Sequence, residues 1–290
     1  MRLSDIQPQY FPRLHYFARM LAADVFVIRD EVQFVRKHKY PDGYTAVSYQ
    51  AHTPVKGPAG AHLLAVSVQG GGALPIWQTR VSYDQPWARK HVKAINSFYA
   101  SSPNRAWLLP QLEQLVSCRF ATIAELDIAT ICWAMGHVLG EPLRIPDDLT
   151  IPRINELLAA QRTVRLRQVA RGSECIEPGA DAPSDEPVNA SGRTVALCRR
   201  FGVDEYVGGG TAVRAYLDTG LFHRHGIEVA VQNWQCPRYP QQHAARIGFI
   251  PDLSIIDLLM NAPPERLAAL LGASGWRDRG HRGPGAHAGA

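Results

Sequence analysis

Asp24-Val25-Phe26-Val27-Ile28-Arg29-Asp30 decides the fold. Four consecutive apolar residues end abruptly in charge. An unbroken run of this length suits a strand buried on both faces, as in a parallel sheet. Just upstream, Leu14, Phe17, Ala18 and Leu21 recur at the spacing of one helix face. Residues 1–7 form a short strand candidate before that helix. Strand, turn, helix and strand within thirty residues make a βαβ unit. Open parallel sheets bind ligands outside the carboxyl ends of their strands. Gln7 to Pro12 and Asp30 to Phe34 are therefore expected on one rim.

Working outward, residues 44–50 and 62–68 alternate as strands, and Gly70-Gly71-Gly72 reads as a loop. Trp87 to Tyr99, Trp107 to Val116 and Ile123 to Leu139 read as helices between Pro, Ser and Thr boundaries. Ile154 to Val169 reads as a basic helix. Residues 172–192 turn to Gly, Pro, Ser and acids, the composition of a linker or flexible loop. Strand–helix alternation then returns. Thr194 to Phe201 is a predicted helix stopped by Gly202. Glu205-Tyr206-Val207 is a short strand, Gly208-Gly209-Gly210 a turn and Val213 to Phe222 a helix. Ile227 to Gln232 is a strand and Leu253 to Met260 a helix. The predicted class is α/β: a parallel-sheet core with a strand–turn–helix–strand opening, plus a mainly helical middle segment. The expected parts are an N-terminal α/β part (1–84), a helical part (85–171), the loop (172–192), a C-terminal α/β part rejoining the sheet (193–272) and a disordered tail (273–290).

The 290 residues are 46% hydrophobic and 20% charged, which excludes global disorder. No apolar run reaches the ~18 residues of a membrane helix, and the start lacks the apolar core of a signal peptide. A cytoplasmic protein without a membrane partner is expected. Lys+Arg is 31 against Asp+Glu 26, a net charge of +5. Nucleic-acid binders show denser basic stripes with interleaved aromatics, so the excess points to a local anionic ligand or to solubility alone. The five cysteines contain no C-x-x-C, and the histidines no H-E-x-x-H, so no metal is expected. The cysteines are expected as reduced thiols.

Several stretches carry chemistry-bearing residues. In Gln7-Pro8-Gln9-Tyr10-Phe11-Pro12 the prolines fix two φ angles. Gln7 and Tyr10 then face a cleft, or Tyr10 and Phe11 enter the core. Arg29-Asp30-Glu31-Val32-Gln33-Phe34, with Arg36, Lys37 and Lys39, puts acids and bases at a strand end: an anion or polar-substrate site, or a solvated loop. Gly208-Gly209-Gly210 permits close backbone approach of a ligand, or is a tight turn. Cys236-Pro237-Arg238-Tyr239-Pro240-Gln241-Gln242-His243 offers a thiol and an imidazole, the parts of a nucleophile–base pair. The competing reading is a buried thiol acting as a small hydrophobe. Ser254 and Asp257 have capping spacing, and a buried Asp257 needs a partner.

Together these segments resemble the WbqC-like family. The resemblance runs from Ile6-Gln7-Pro8-Gln9-Tyr10-Phe11-Pro12 and Tyr16-Phe17 through Ala23-Asp24-Val25-Phe26-Val27 and Asp30-Glu31-Val32-Gln33-Phe34. It resumes at Tyr206-Val207-Gly208-Gly209, Tyr216-Leu217, Gly226-Ile227-Glu228-Val229 and Pro237-Arg238-Tyr239-Pro240-Gln241. It ends with Pro251-Asp252-Leu253-Ser254-Ile255-Ile256-Asp257-Leu258-Leu259. Two departures stand out: Ile6 and Cys236 replace histidines of the family pattern. The resemblance implies O-antigen or secondary-metabolite biosynthesis, with acyl or aminoacyl transfer to an amino sugar or similar amine. The opening is also similar to nucleotidylyltransferase-type folds, which hold phosphates with two histidines in the turn; this turn has neither.

The expected function is therefore acyl or aminoacyl transfer, cyclisation or hydrolysis of a carrier-bound thioester. Nucleotide-sugar or nucleotidyl chemistry and a non-catalytic carrier-protein binding module are the alternatives. Cys236 is the candidate nucleophile, and His243 or Asp30 the candidate general base, with Asp257 grouped with them. Gln7, Tyr10, Gln33, Arg36, Tyr206, Gly208, Gly209, Tyr239 and Gln242 are the candidate substrate-binding residues. Backbone N–H groups at Gly208 to Gly210 could hold an oxyanion. No cofactor is expected beyond a phosphopantetheine-bound substrate, whose phosphate would meet Arg36 to Lys39. An acyl carrier protein is the expected macromolecular partner.

Overall fold

The computed structural model describes residues 1–39, 45–70, 74–176, 190–215, 217–272 and 278–279. β1 (Arg2–Ile6), α1 (Leu14–Ala22) and β2 (Val25–Ile28) form the expected βαβ unit. The two strands are parallel, with Leu3 opposite Val25 and Ile6 opposite Ile28. All four residues of β2 are buried. Val25 and Val27 enter one core and Phe26 and Ile28 the other, so the apolar run serves both faces of the sheet.

Two antiparallel hairpins follow: β3 (Lys37–Lys39) with β4 (Thr45–Val47), and β5 (His52–Gly57) with β6 (Gly60–Ala65). The sequence expectation of strands over 44–50 and 62–68 is shifted here. A 3₁₀ turn at Tyr49–Ala51 ends the first, and the fully buried strand is β5. Then come α2 (Trp87–Phe98), α3 (Arg105–Ser117), α4 (Ile123–Val138) and α5 (Ile151–Ala160). Every α4 residue except Glu125 is buried. A capping box of Thr122 and Glu125 starts this helix.

The basic helix expected over Ile154 to Val169 is two elements. The helix stops at Ala160, and β7 (Gln168–Arg171) joins the sheet parallel to β2. The Asn155 side chain accepts from the Val169 N–H at 2.8 Å and donates to its carbonyl at 2.9 Å. One amide thus occupies part of the outer edge of β7, as a neighbouring strand would.

α6 (Gly172–Cys175) leaves β7. Thus the start of the expected 172–192 loop is helical; residues 177–189 lie outside the described ones. α7 (Ala190–Arg200), β8 (Glu205–Gly209), α8 (Gly210–Ala215), α9 (Thr219–Arg224) and β9 (Glu228–Gln232) restore the alternation. Gly208 and Gly209 are extended strand, not turn. The helix expected over Val213 to Phe222 is split, with the Asp218 carboxylate capping α9 at Leu221 N–H. α10 (Ala244–Ile247), α11 (Ile255–Asn261) and α12 (Leu267–Gly272) complete the helices, and β10 (Asp278–Arg279) pairs antiparallel with β9. The other residues of the expected tail lie outside the described ones.

The sheet order is β10-β9-β8-β1-β2-β7, with all strands parallel except β10. Both ends of the chain therefore share one sheet. From β1 the sheet grows through β2 and β7 on one side, and through β8 and β9 on the other. The order reverses between β1 and β8, which opens a crevice at their carboxyl ends. Among the described residues no helix is long and apolar enough to cross a membrane.

Candidate functional site

At this reversal, where open α/β sheets carry their ligand crevice, guanidinium groups gather at the carboxyl end of β8. Arg19 of α1 reaches across to Gly209 at the end of β8. A Cβ placed on Gly209 would lie 2.7 Å from Arg19 Nη2, so the close approach requires glycine. Arg19 Nε donates to Gln232 Oε1 at 2.7 Å. The two Nη atoms have no carboxylate partner among the described residues. Burial holds the Arg19 pKa below its ordinary value. One turn earlier, His15 is pushed down to about 3, first by burial and then by Arg19 and Arg13. Gln232 Nε2 donates to the His15 carbonyl at 3.1 Å and ties α1 to the end of β9. Arg214 folds back over Gly210 and brings another guanidinium to the glycine run.

On the opposite face, Asp5 of β1 accepts from Arg29 Nη1 at 2.5 Å and from the Tyr206 hydroxyl at 2.8 Å. Arg29 also pairs with Glu31. Burial lowers the Arg29 pKa, and Asp5 and then Glu31 outweigh it, leaving a net rise. Burial raises the Glu31 pKa, and Arg29 opposes that rise. Among the described residues, Glu31 Oε2 has no hydrogen-bond partner. A side chain at Gly172 would overlap this oxygen, so glycine there makes room for it. Asp30, fully buried, accepts from Arg171 Nε at 2.9 Å and Nη2 at 2.6 Å. It also accepts the Ser173 N–H at 2.9 Å and its hydroxyl at 2.8 Å. Both carboxylate oxygens are committed, so Asp30 works as an anchor of the rim and not as an open base.

The remaining expected residues separate into distinct settings. Tyr10 is buried, and its hydroxyl lies 3.1 Å from His91 Nδ1. His91 Nε2 faces the Ala65 carbonyl at 3.1 Å, so it carries the proton and Nδ1 accepts from Tyr10. Burial pushes His91 down to about 4. Of the two readings of Tyr10, the core one holds. Gln7 accepts from Gln50, and Arg36 donates to the Gly70 carbonyl. Gln33 is exposed beside Pro75.

Cys236 lies on the segment that leaves β9. Its Sγ accepts the Asp252 N–H at 3.4 Å, and Arg13 Nη1 donates to the Asp252 carbonyl at 3.1 Å. Burial raises the thiol pKa. His243 Nε2 instead meets the Phe98 carbonyl at 3.1 Å. The thiol and imidazole expected to work together thus bond to separate partners. Asp257 is buried and accepts from Tyr99 and Tyr239, each at 2.8 Å. Gln241 donates to the Tyr239 hydroxyl at 3.1 Å and accepts from Lys56 Nζ at 2.9 Å. Gln242 accepts from the Ser101 hydroxyl at 2.7 Å. These residues fasten the 236–252 segment to α2 and α11.

Of the expected set, the rim collects Gln7, Asp30, Tyr206, Gly208 and Gly209. Arg19, His15, Gln232, Asp5, Arg171 and Ser173 are additions from the structure, and Arg29 of the charged strand end gains Asp5 as its partner. The i,i+4 spacing of His15 and Arg19 on α1 was the available sequence signal.

The WbqC-like protein family matches residues 7–269, nearly the whole chain. The chain belongs to the WbqC-like family. This WbqC-like protein is 24% identical over 270 residues to a Mycobacterium tuberculosis protein described only as uncharacterized. The match covers 91% of this chain and 95% of that one. No solved structure matches it.

Proposed function

We propose that this WbqC-like protein transfers an acyl or aminoacyl group from a thioester to an amine of a biosynthetic intermediate, and that the substrate's anionic group sits in the Arg19–Gly209 crevice. The observation that carries this reading is Arg19: a partly buried guanidinium, brought against glycine, with neither Nη atom on a carboxylate among the described residues. Removing such a group from water costs free energy that a phosphate or carboxylate would offset through charge-assisted hydrogen bonds. The phosphate of a phosphopantetheine arm has that chemistry.

The raised pKa of Cys236 supports direct attack. The amine nitrogen adds to the thioester carbonyl, the C–S bond breaks, and the departing thiolate takes the proton that the nitrogen loses. In the covalent variant Cys236 first displaces the donor thiol, and the amine then releases the acyl group and restores the Cys236 thiol. The same crevice would accept a nucleotide phosphate, which keeps nucleotidyl chemistry as the second reading.

The test is thiol release from acetyl, glycyl and longer acyl phosphopantetheine thioesters, with intact-protein mass recorded alongside. Release is expected from the wild type and retained in Cys236→Ala, without an adduct. Arg19→Gln should lower it by about 10-fold or more, the loss of one charged hydrogen bond. A transient acyl adduct lost in Cys236→Ala would select the covalent variant. No release from any thioester, with saturable binding of a nucleoside triphosphate, would overturn acyl transfer in favour of the second reading.

A further inference from the structure

A cleft of about 690 Å³ lies beside β7, on the side away from β2, where α4 and α5 approach the sheet edge. That volume falls within the range of small-molecule sites, about 300–1,000 Å³. Its floor is apolar: Ile128, Ala129, Leu149 and Ile151 are buried and line it. Its margin carries Arg119, Arg171 and Arg200. Arg171 is committed to Asp30 and lies 3.7 Å from Glu174. Arg119 lies 4.8 Å from the Tyr83 ring centroid, and Arg200 donates to the Cys175 carbonyl at 3.1 Å. Neither Arg119 nor Arg200 has a carboxylate partner among the described residues. The acids in the cleft pair with neither of them. Glu125 receives the Ala121 and Thr122 N–H groups, and Glu174 faces Arg171.

We infer that this cleft binds an amphiphilic small molecule, with an apolar chain or ring on the floor and a phosphate or carboxylate at the marginal arginines. The edge strand argues for a small molecule over an added peptide strand. Asn155 already takes both outward polar groups of Val169, so a peptide could not continue the ladder there. The cleft is separate from the Arg19 crevice. Strands β1, β2 and β7 lie between them, roughly 14 Å at the usual strand spacing. The inference therefore stands whether or not the acyl-transfer reading does.

Calorimetric titration of the full chain tests it, with octyl phosphate below its micellar range, inorganic phosphate and octanol as probes. Octyl phosphate should fill one cleft site per chain, beyond any phosphate held at Arg19, at least 10-fold more tightly than either smaller probe fills it. Arg119→Ala combined with Arg200→Ala should weaken it at least 10-fold. Both positions are exposed, so the fold is retained. Gln168→Trp, at an exposed position that lines the cleft, should block binding. Arg19→Gln should leave it unchanged. The inference is overturned if the wild type shows no saturable binding. It is equally overturned if the cleft variants bind as the wild type does, or if only Arg19→Gln abolishes binding.

Discussion

Replacing Arg29 by Met would remove the cation that holds two buried carboxylates together. Arg29 lies between Asp5, at 2.5 Å, and Glu31, and all three side chains are about nine-tenths buried. Met keeps much of the volume and none of the charge. Breaking one side of a buried pair costs about 3–5 kcal/mol, because the remaining charge is left uncompensated. Here two charges are left, and Glu31 Oε2 already lacks a hydrogen-bond partner among the described residues. The upper part of that range is therefore expected at pH 8. The loss should shrink on acidification. Burial already raises the Glu31 pKa, and without Arg29 only a backbone hydrogen bond opposes the rise. A carboxyl whose folded pKa exceeds its unfolded value binds more protons in the folded state, so stability increases as pH falls. At pH 5.5 the variant should recover more than about 1 kcal/mol relative to wild type. Urea unfolding of both proteins at the two pH values, followed by tryptophan fluorescence, measures the difference. Adding Glu31→Gln should recover part of the loss at pH 8. A loss below about 1 kcal/mol at pH 8, or a difference independent of pH, would refute the reasoning.

Other outcomes follow from the same geometry. Gly209→Ala would put a methyl group 2.7 Å from Arg19 Nη2 and displace the guanidinium; phosphate affinity should fall about 10-fold, one charged hydrogen bond, with little change in Tm. Cys236 should alkylate slowly at pH 7 and faster above pH 9, because burial raises its pKa. Iodoacetamide labelling resolved by peptide mass will read its rate apart from the other four thiols, and fast labelling at pH 7 would contradict the protonated state. His91, held near 4 against an ordinary 6.5, takes up protons on unfolding below pH 6.5. It should therefore destabilise the protein by about 2 kcal/mol between pH 7 and pH 5. His91→Gln should remove that component from urea-unfolding curves, and an unchanged pH slope would argue against it.

The opening of the fold was legible because Val25-Phe26-Val27-Ile28 has one stable use, a strand covered on both faces. With α1 read from its spacing, the rim at Gln7 and Asp30 followed from topology. β7 was hidden because Gln168-Val169-Ala170-Arg171 has too little apolar pattern to stand out from the preceding helix. Its outer edge is partly satisfied by a side chain, Asn155, that no local pattern reveals. Arg19 looked like an ordinary outward residue of an amphipathic helix. Its meaning depends on Gly209, 190 positions later, reached only through the β1–β8 pairing. Cys236 shows the converse. Its sequence neighbours included an arginine and a histidine, while its hydrogen-bond partners are backbone groups of Pro237 and Asp252.

Anion binding at the β1–β8 crevice is open to direct observation. Crystals grown with tungstate, a heavy-atom mimic of phosphate, test it through anomalous scattering. A peak is expected within hydrogen-bond reach of the Arg19 Nη atoms and beside Gly209, absent from crystals of Arg19→Gln. A well-ordered Arg19 with no peak beside it, or a peak that persists in Arg19→Gln, would contradict the account.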